Sequence, residues 1–234
     1  MQSSWADERG LAGDRAHALV DLRQQRAGTL LTVREQPRLL RWQATYDAVV
    51  TDPDRPPEPL LTDPHGRSWR WSERGLAEAL THDLGQPGGL VREPAGLQDL
   101  ERSILLTTAA SHADLEREHG RRYEPDRWRT NLHVDLDAVA FAEQGWEGLL
   151  LQVGELVLRL LHPCGRCAIP TWSPDGTVRD PGLLRALLAD HAGAFGINAR
   201  VVTAGVLRVG DDVRLLPGPA AEPVPRLPRR RHPR

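Results

Sequence analysis

The two cysteines of the chain lie close together, in the segment Cys164-Gly-Arg-Cys167. The preceding residues 156–161 alternate as a half-buried strand does, and Pro163 ends that strand ahead of the first cysteine. We therefore expect both thiols on a turn between two strands, beside Arg166. A thiolate in this setting is suited to binding a soft metal or to redox chemistry.

The cysteine pair has several possible interpretations. A thioredoxin-type dithiol needs its first cysteine at a helix N-terminus, whereas Pro170 and Thr171 lie within residues 168–172, which the sequence predicts to be extended. A structural zinc site needs about four ligands, and no second Cys/His pair with the usual spacing occurs. Two interpretations remain: a thiolate on a metal whose other ligands come from a cofactor, or two buried thiols that pack as apolar groups.

Two arginine-containing motifs have the right chemistry for an anion. Gly13-Asp-Arg15 precedes a predicted strand at 16–21, and Arg127-Trp-Arg-Thr-Asn131 precedes another at 132–134. A guanidinium group binds phosphate or carboxylate in a bidentate manner, and an asparagine adds donors and an acceptor. The alternative for both motifs is an exposed polar turn with a weak surface ion pair. The histidines 133 and 162 are expected to be structural.

Composition excludes several classes of protein. The 234 residues carry a formal net charge of −2, so no nucleic acid and no anionic membrane is expected as a partner. All basic residues are arginines, and two cysteines do not make a disulfide framework. The sequence contains no apolar run long enough to cross a bilayer, and we expect no secretory leader. We expect a soluble, cytoplasmic protein.

The pattern of short strands with a few isolated helices predicts a β-rich α+β fold, with a barrel-like core. One strand is predicted at 39–46. The predicted helices begin with Ser72 as a cap ahead of Leu76, Leu80 and Leu84, with Ser111, and with Asp180-Pro181; Gly85 and Gly120 end the first two.

The chain is predicted to have three parts. The glycine- and proline-rich segment 86–96 indicates a boundary between a β-rich N-terminal subdomain, residues 1–90, and a second domain, residues 91–216. Residues 217–234 are dominated by proline and arginine, so we expect a disordered tail.

Taken in order, the motifs resemble the MOSC family (molybdenum cofactor sulfurase C-terminal domain), in particular its amidoxime-reducing branch with an N-terminal β-barrel part. The resemblance runs from about residue 9 to residue 216. Each motif alone is weak evidence for the family, but the whole set in the same order along the chain is fairly strong evidence. The set comprises Gly13-Asp-Arg15, Thr32-Val-Arg-Glu-Gln-Pro-Arg-Leu39, Ser111, Arg129-Thr-Asn131, Pro163-Cys-Gly-Arg-Cys167, Phe195-Gly196 and Gly205-Val-Leu-Arg-Val-Gly-Asp211.

The resemblance implies a MOSC-type β-barrel core that binds a pyranopterin molybdenum cofactor. By position, Cys167 matches the metal ligand and catalytic residue, while Arg15, Arg129, Asn131 and Arg166 match positions that hold the pterin phosphate or ring. It further implies reduction of small N-hydroxylated compounds, with electrons from a separate protein: a reductase, a ferredoxin-like carrier or a b-type cytochrome. Pyridoxal phosphate binding is also associated with the family.

The sequence departs from the family pattern at four places. The Val-Lys-Ser segment, whose lysine helps hold the cofactor, has no counterpart, so we expect either a start upstream of Met1 or an incomplete site. Glu101 and Arg102 replace a hydroxyl pair, Ser173 replaces an acidic residue, and Thr130 replaces a proline. Two alternatives to the reductase therefore stay open: a non-redox carrier of the cofactor or its sulfur, and a degenerate member without cofactor.

Overall fold

The computed structural model describes residues 3–50, 52, 54–93 and 103–218. The described residues form fifteen strands and three α-helices. The strands are β1 (Ser3–Asp7), β2 (Gly10–Leu11), β3 (His17–Asp21), β4 (Leu30–Leu31), β5 (Gln43–Thr45), β6 (Leu60–Thr62), β7 (Ser68–Arg70), β8 (Gly88–Arg92), β9 (Ile104–Thr108), β10 (Leu132–Val134), β11 (Leu150–Val153), β12 (Leu156–Gly165), β13 (Ala194–Thr203), β14 (Gly205–Arg208) and β15 (Val213–Leu216). The helices are α1 (Leu76–Leu84), α2 (Ala109–His119) and α3 (Pro181–Asp190).

A curled six-stranded sheet forms the core of the second half of the chain, with strand order β10-β9-β13-β12-β11-β15. All of its neighbouring strands are antiparallel except the pair β9 and β10. Leu156, Leu158 and Leu160 of β12 point into the main apolar cluster and are almost fully buried, as their alternation predicts. The predicted β-rich fold is confirmed.

Strand β12 is longer than the sequence predicts and brings the first cysteine to its end. Pairing with β13 is irregular around Pro163, because proline has no N–H to donate to the ladder. The strand nevertheless continues to Gly165. The prediction that 168–172 is extended is wrong: Ile169–Thr171 is a 3₁₀ turn, with Pro170 near its start and the Thr171 hydroxyl donating to Ala168 O at 2.6 Å.

Two three-stranded sheets, β4-β3-β8 and β5-β6-β7, surround α1 in the N-terminal half. Helix α1 buries its three predicted leucines in a second apolar cluster and ends at Gly85, whose φ of 71° is left-handed. Its N-cap is Gly75 and not Ser72. The predicted strand 39–46 is only partly correct, since Pro37–Arg41 is a 3₁₀ helix, and β8 occupies part of the predicted link 86–96.

The other two helices are close to their predicted positions. Helix α2 starts two residues before Ser111, because Thr108 is the N-cap and its hydroxyl accepts from the Ser111 N–H at 3.2 Å. Helix α3 begins as predicted, with Asp180 accepting from the Gly182 N–H at 3.0 Å. Within the described ranges, no helix is both long and apolar enough to cross a membrane.

The two halves of the chain are joined by direct backbone pairing. Strand β1 pairs antiparallel with β14, from Ser3 opposite Arg208 to Ala6 opposite Gly205. The first strand of the N-terminal half therefore belongs to the same sheet as a strand near the end of the second half. The boundaries 1–90 and 91–216 stay a prediction, and residues 219–234 of the predicted tail lie outside the described part of the chain.

Candidate functional site

A cavity of about 640 Å³ is lined by residues from both halves of the chain. Its lining includes three of the residues singled out from the sequence, Arg15, Arg129 and Asn131, although the last two are more than a hundred positions from the first. The volume is in the range of small-molecule sites.

The first arginine is carried by a constrained turn between β2 and β3. Gly13 has φ of 80° and Arg15 has φ of 57°, a left-handed conformation that is uncommon for a residue with a side chain. The Tyr46 hydroxyl donates to Gly13 O at 2.8 Å. A Cβ at position 13 would lie 2.9 Å from the Tyr46 ring, so the contact requires glycine. The turn is thereby fixed with Arg15 at the cavity.

The second arginine also follows a constrained backbone. Arg129 has φ of 54° at the end of the 3₁₀ helix Pro125–Trp128. Among the described residues, only four non-glycine residues have positive φ, and two of them are the arginines that line this cavity. Such conformations cost roughly 1–3 kcal/mol and concentrate at functional sites. The exposed Arg129 guanidinium has no ion-pair partner within the described ranges.

Asn131 ties the two arginine-bearing turns together. Its backbone N–H donates to Leu105 O and its side-chain oxygen accepts from Leu105 N–H, both at 3.0 Å, which fixes it to β9. Its amide nitrogen donates to the Asp14 carboxylate at 3.0 Å. Asp14 also lies 3.5 Å from the Nε of Arg15. Asn131 is therefore a positioning residue for the Arg15 turn as well as a lining residue.

Arg166 fixes the cysteine-containing turn against the turn that carries Arg129. Its Nη2 donates to Trp128 O at 2.5 Å, one residue before Arg129, and its backbone N–H donates to Gly193 O at 2.7 Å. Its Nη1 approaches the Cys164 Sγ at 3.3 Å. Its buried Nε has no hydrogen-bond partner among the described residues. Arg166 thus connects the cysteine turn to the edge of the cavity.

Cys164 and Cys167 are both half-buried free thiols. Cys167 is not among the residues that line the cavity, so the structure brings together three of the five predicted site residues and links a fourth, Arg166, to them. Among the described residues, no three His, Cys, Asp or Glu side chains form a group that could hold a metal. A metal at Cys167 would therefore need its remaining ligands from a cofactor.

The sequence did not identify the inner lining of the cavity, which includes His17, Trp42, Tyr46 and Trp71. Burial and the positive charge of Arg92 lower the pKa of His17 to about 4, so this imidazole is neutral at physiological pH. Burial and the negative charge of nearby Asp14 raise the pKa of Tyr46, which stays protonated. No periodic pattern marks these positions; only their aromatic character could have drawn attention to them.

The departures from the family pattern have local explanations where the structure describes them. Thr130 accepts from the Thr107 hydroxyl at 3.3 Å, which joins the segment before β10 to β9. Ser173 organises the following turn, accepting from the backbone N–H groups of Thr177 at 3.2 Å and Val178 at 2.9 Å. Residues 101 and 102 lie outside the described ranges.

The chain matches one known protein family over more than half of its length. The model of the MOSC domain matches residues 80–214, more than half of the sequence, so the protein belongs to the MOSC domain family. The family is associated with the molybdenum cofactor. The match includes Arg129, Asn131, Arg166 and Cys167, whereas Arg15 precedes it.

Two solved structures resemble the chain over part of its length. YiiM from Geobacillus stearothermophilus is 17% identical with a TM-score of 0.38, covering 48% of this chain and 53% of YiiM. The YuaD protein from Bacillus subtilis is 17% identical with a TM-score of 0.40, covering 56% of this chain and 68% of YuaD. The chain thus spans about half the length of YiiM. No curated protein matches the sequence.

Proposed function

We propose that this MOSC protein binds the molybdenum cofactor and reduces small N-hydroxylated compounds, with electrons from a separate donor protein. The observation that supports it best is that Arg15 and Arg129, both with a left-handed backbone conformation, line one cavity. Arg166 of the cysteine turn donates to Trp128 O, one residue before Arg129. The reaction consumes two electrons and two protons: R–NHOH + 2e⁻ + 2H⁺ gives R–NH₂ + H₂O. A reductase, a ferredoxin-like carrier or a b-type cytochrome would supply the electrons.

The residues of the site fit a phosphate-bearing cofactor with its own sulfur ligands. Arg15 and Arg129 offer guanidinium groups to a phosphate dianion, for which charge-assisted bonds contribute roughly 1.5–3 kcal/mol each. The buried Nε of Arg166 lacks a partner among the described residues and is a further donor next to the cysteine turn. Cys167 would supply one thiolate to the metal, and Cys164, in contact with Arg166, would not.

Each residue then has a separate task in the proposed reaction. Arg15 and Arg129 bind the phosphate, and Asn131 with Asp14 holds the Arg15 turn in place. Cys167 would supply the thiolate that ligates the metal. When bound, the cofactor supplies the redox centre at which the N–O bond is cleaved. The protonated Tyr46 hydroxyl and the neutral imidazole of His17, 3.4 Å apart, give the cavity uncharged hydrogen-bonding groups for a neutral substrate.

The test combines metal analysis with turnover. Protein purified from a host that makes the cofactor should contain molybdenum, and with a reduced viologen dye as donor it should convert an amidoxime to the amidine. Bound molybdenum without turnover would favour the alternative of a non-redox carrier of the cofactor or its sulfur. Protein without molybdenum under these conditions would identify a degenerate member and refute the proposal.

A further inference from the structure

The cavity continues from the arginine-bearing turns to a wall of aromatic side chains. Consecutive contacts trace this path: the Tyr46 hydroxyl donates to Gly13 O at 2.8 Å, and the same hydroxyl lies 3.4 Å from His17 Nδ1. The His17 ring in turn meets Trp71 edge to face, with 4.9 Å between ring centroids. Trp42 lines the same cavity.

These aromatic side chains keep apolar surface accessible inside a cavity. Trp42, Tyr46 and Trp71 are each half-buried, although Trp42 and Trp71 pack against the apolar cluster of the N-terminal half. Trp42 is held in place because its Nε1 donates to Asp83 at 2.9 Å. Accessible aromatic faces that are fixed by neighbouring contacts are suited to a ligand with a flat, apolar part.

The charge of this wall also restricts the ligand. His17 is neutral at physiological pH and Tyr46 is protonated, so the aromatic wall carries no formal charge there. The guanidinium groups of Arg15 and Arg129 line the same cavity and suit an anion. The aromatic wall is therefore left for an uncharged group.

We propose that Trp42 and Trp71, with Tyr46, form a subsite that selects N-hydroxylated substrates carrying a planar aromatic ring. This inference rests on the proposed function for the substrate headgroup. The ring stacks against or meets the indoles edge to face, while the arginine-bearing turns hold the cofactor. A saturated ring of the same size fills the volume but lacks the flat face and the edge-to-face attraction.

The experiment compares two ligands with one headgroup, measured by calorimetric titration into the cofactor-free, full-length chain. Benzamidoxime should bind about tenfold more tightly than cyclohexanecarboxamidoxime, as expected for one or two aromatic contacts. Trp71→Leu should reduce this preference to less than about threefold, and Trp71→Phe should retain most of it. Trp172→Leu is the matched control, since Trp172 is also half-buried but does not line the cavity.

Thermal melts of each variant show whether it is folded, and Trp42→Leu replaces Trp71→Leu if the latter unfolds. Equal affinity of the wild-type chain for both ligands would overturn the subsite, as would a preference that survives in both leucine variants. Because ligand binding is measured without the cofactor, the subsite and the reductase activity can be refuted independently of each other. Ring-selective binding without turnover would refute the reductase alone, whereas turnover without ring selectivity would refute the subsite alone.

Discussion

Replacing Asn131 by aspartate should loosen the link between the two halves of the cavity. The substitution keeps the oxygen that accepts from Leu105 but places a second carboxylate against Asp14, where the amide now donates at 3.0 Å. At that distance two like charges repel by about 1.4 kcal/mol in water and about 5.5 kcal/mol at an effective dielectric constant of 20. The Asp14 side chain is 36% exposed, which favours the lower end of this range.

Together with the lost hydrogen bond, we expect Asn131→Asp to lower the free energy of unfolding by about 2 kcal/mol at pH 7. For a chain of this size the melting temperature should fall by roughly 4–8 °C. The variant keeps one carboxyl of the pair protonated to a higher pH in the folded state than the ordinary value of about 3.9. Its deficit is therefore complete at neutral pH and shrinks as the pH falls to about 4 and below.

The double variant Asp14→Asn/Asn131→Asp is the decisive control, because it re-creates an amide-to-carboxylate hydrogen bond with donor and acceptor exchanged. Thermal melts of the wild type, both single variants and the double variant complete a mutant cycle. The double variant should recover at least half of the loss. If Asn131→Asp melts like the wild type at pH 7, or if the exchange restores nothing, the assigned hydrogen bond does not hold the Arg15 turn.

Three further predictions test the fold and its titration. His17 and His112 both have a pKa lowered to about 4, chiefly by burial. The stability that comes from keeping both imidazoles neutral should therefore be fully present above about pH 6.5 and be lost as the pH drops from there to about 4. Replacing both histidines by glutamine should make the melting temperature depend less on pH in that window. Ser111→Ala should cost about 2 kcal/mol in a denaturant titration, because the buried Ser111 hydroxyl donates to a carboxylate at 2.8 Å and accepts from a backbone N–H at 2.7 Å. Gly196→Ala should cost more than about 3 kcal/mol, since its φ is 80° and a Cβ would lie 2.4 Å from a backbone oxygen, whereas Gly145→Ala, with open space around it, should change stability by less than about 0.5 kcal/mol.

Local patterns in the sequence predicted the regular elements well. The alternating leucines of β12 and the three-leucine face of α1 are periodic signals that the buried clusters confirm. The 3₁₀ turns at Pro37–Arg41 and Ile169–Thr171 were missed, because a proline at the start of a short turn looks like the end of a strand. Short-range hydrogen bonds decided those segments, and hydrophobic periodicity does not report such bonds.

The site was predictable only as a set of residue types. The resemblance named Arg15, Arg129 and Asn131, and the structure places all three on one cavity. The contacts that fix them join distant positions: Asn131 to Asp14 across 117 residues, and Tyr46 to Gly13 across 33. Such pairs have no spacing rule in a single sequence. The aromatic wall was missed for the same reason, since it forms only when three separate segments meet.

We propose that Cys167, and not Cys164, provides the thiolate for the molybdenum cofactor. Molybdenum content, measured by mass spectrometry of purified wild-type, Cys167→Ser and Cys164→Ser chains expressed in one cofactor-producing host, tests it most directly. We expect bound metal in the wild type, most of that metal in Cys164→Ser and essentially none in Cys167→Ser. Equal metal in the two variants, or a wild-type chain without molybdenum, would contradict it.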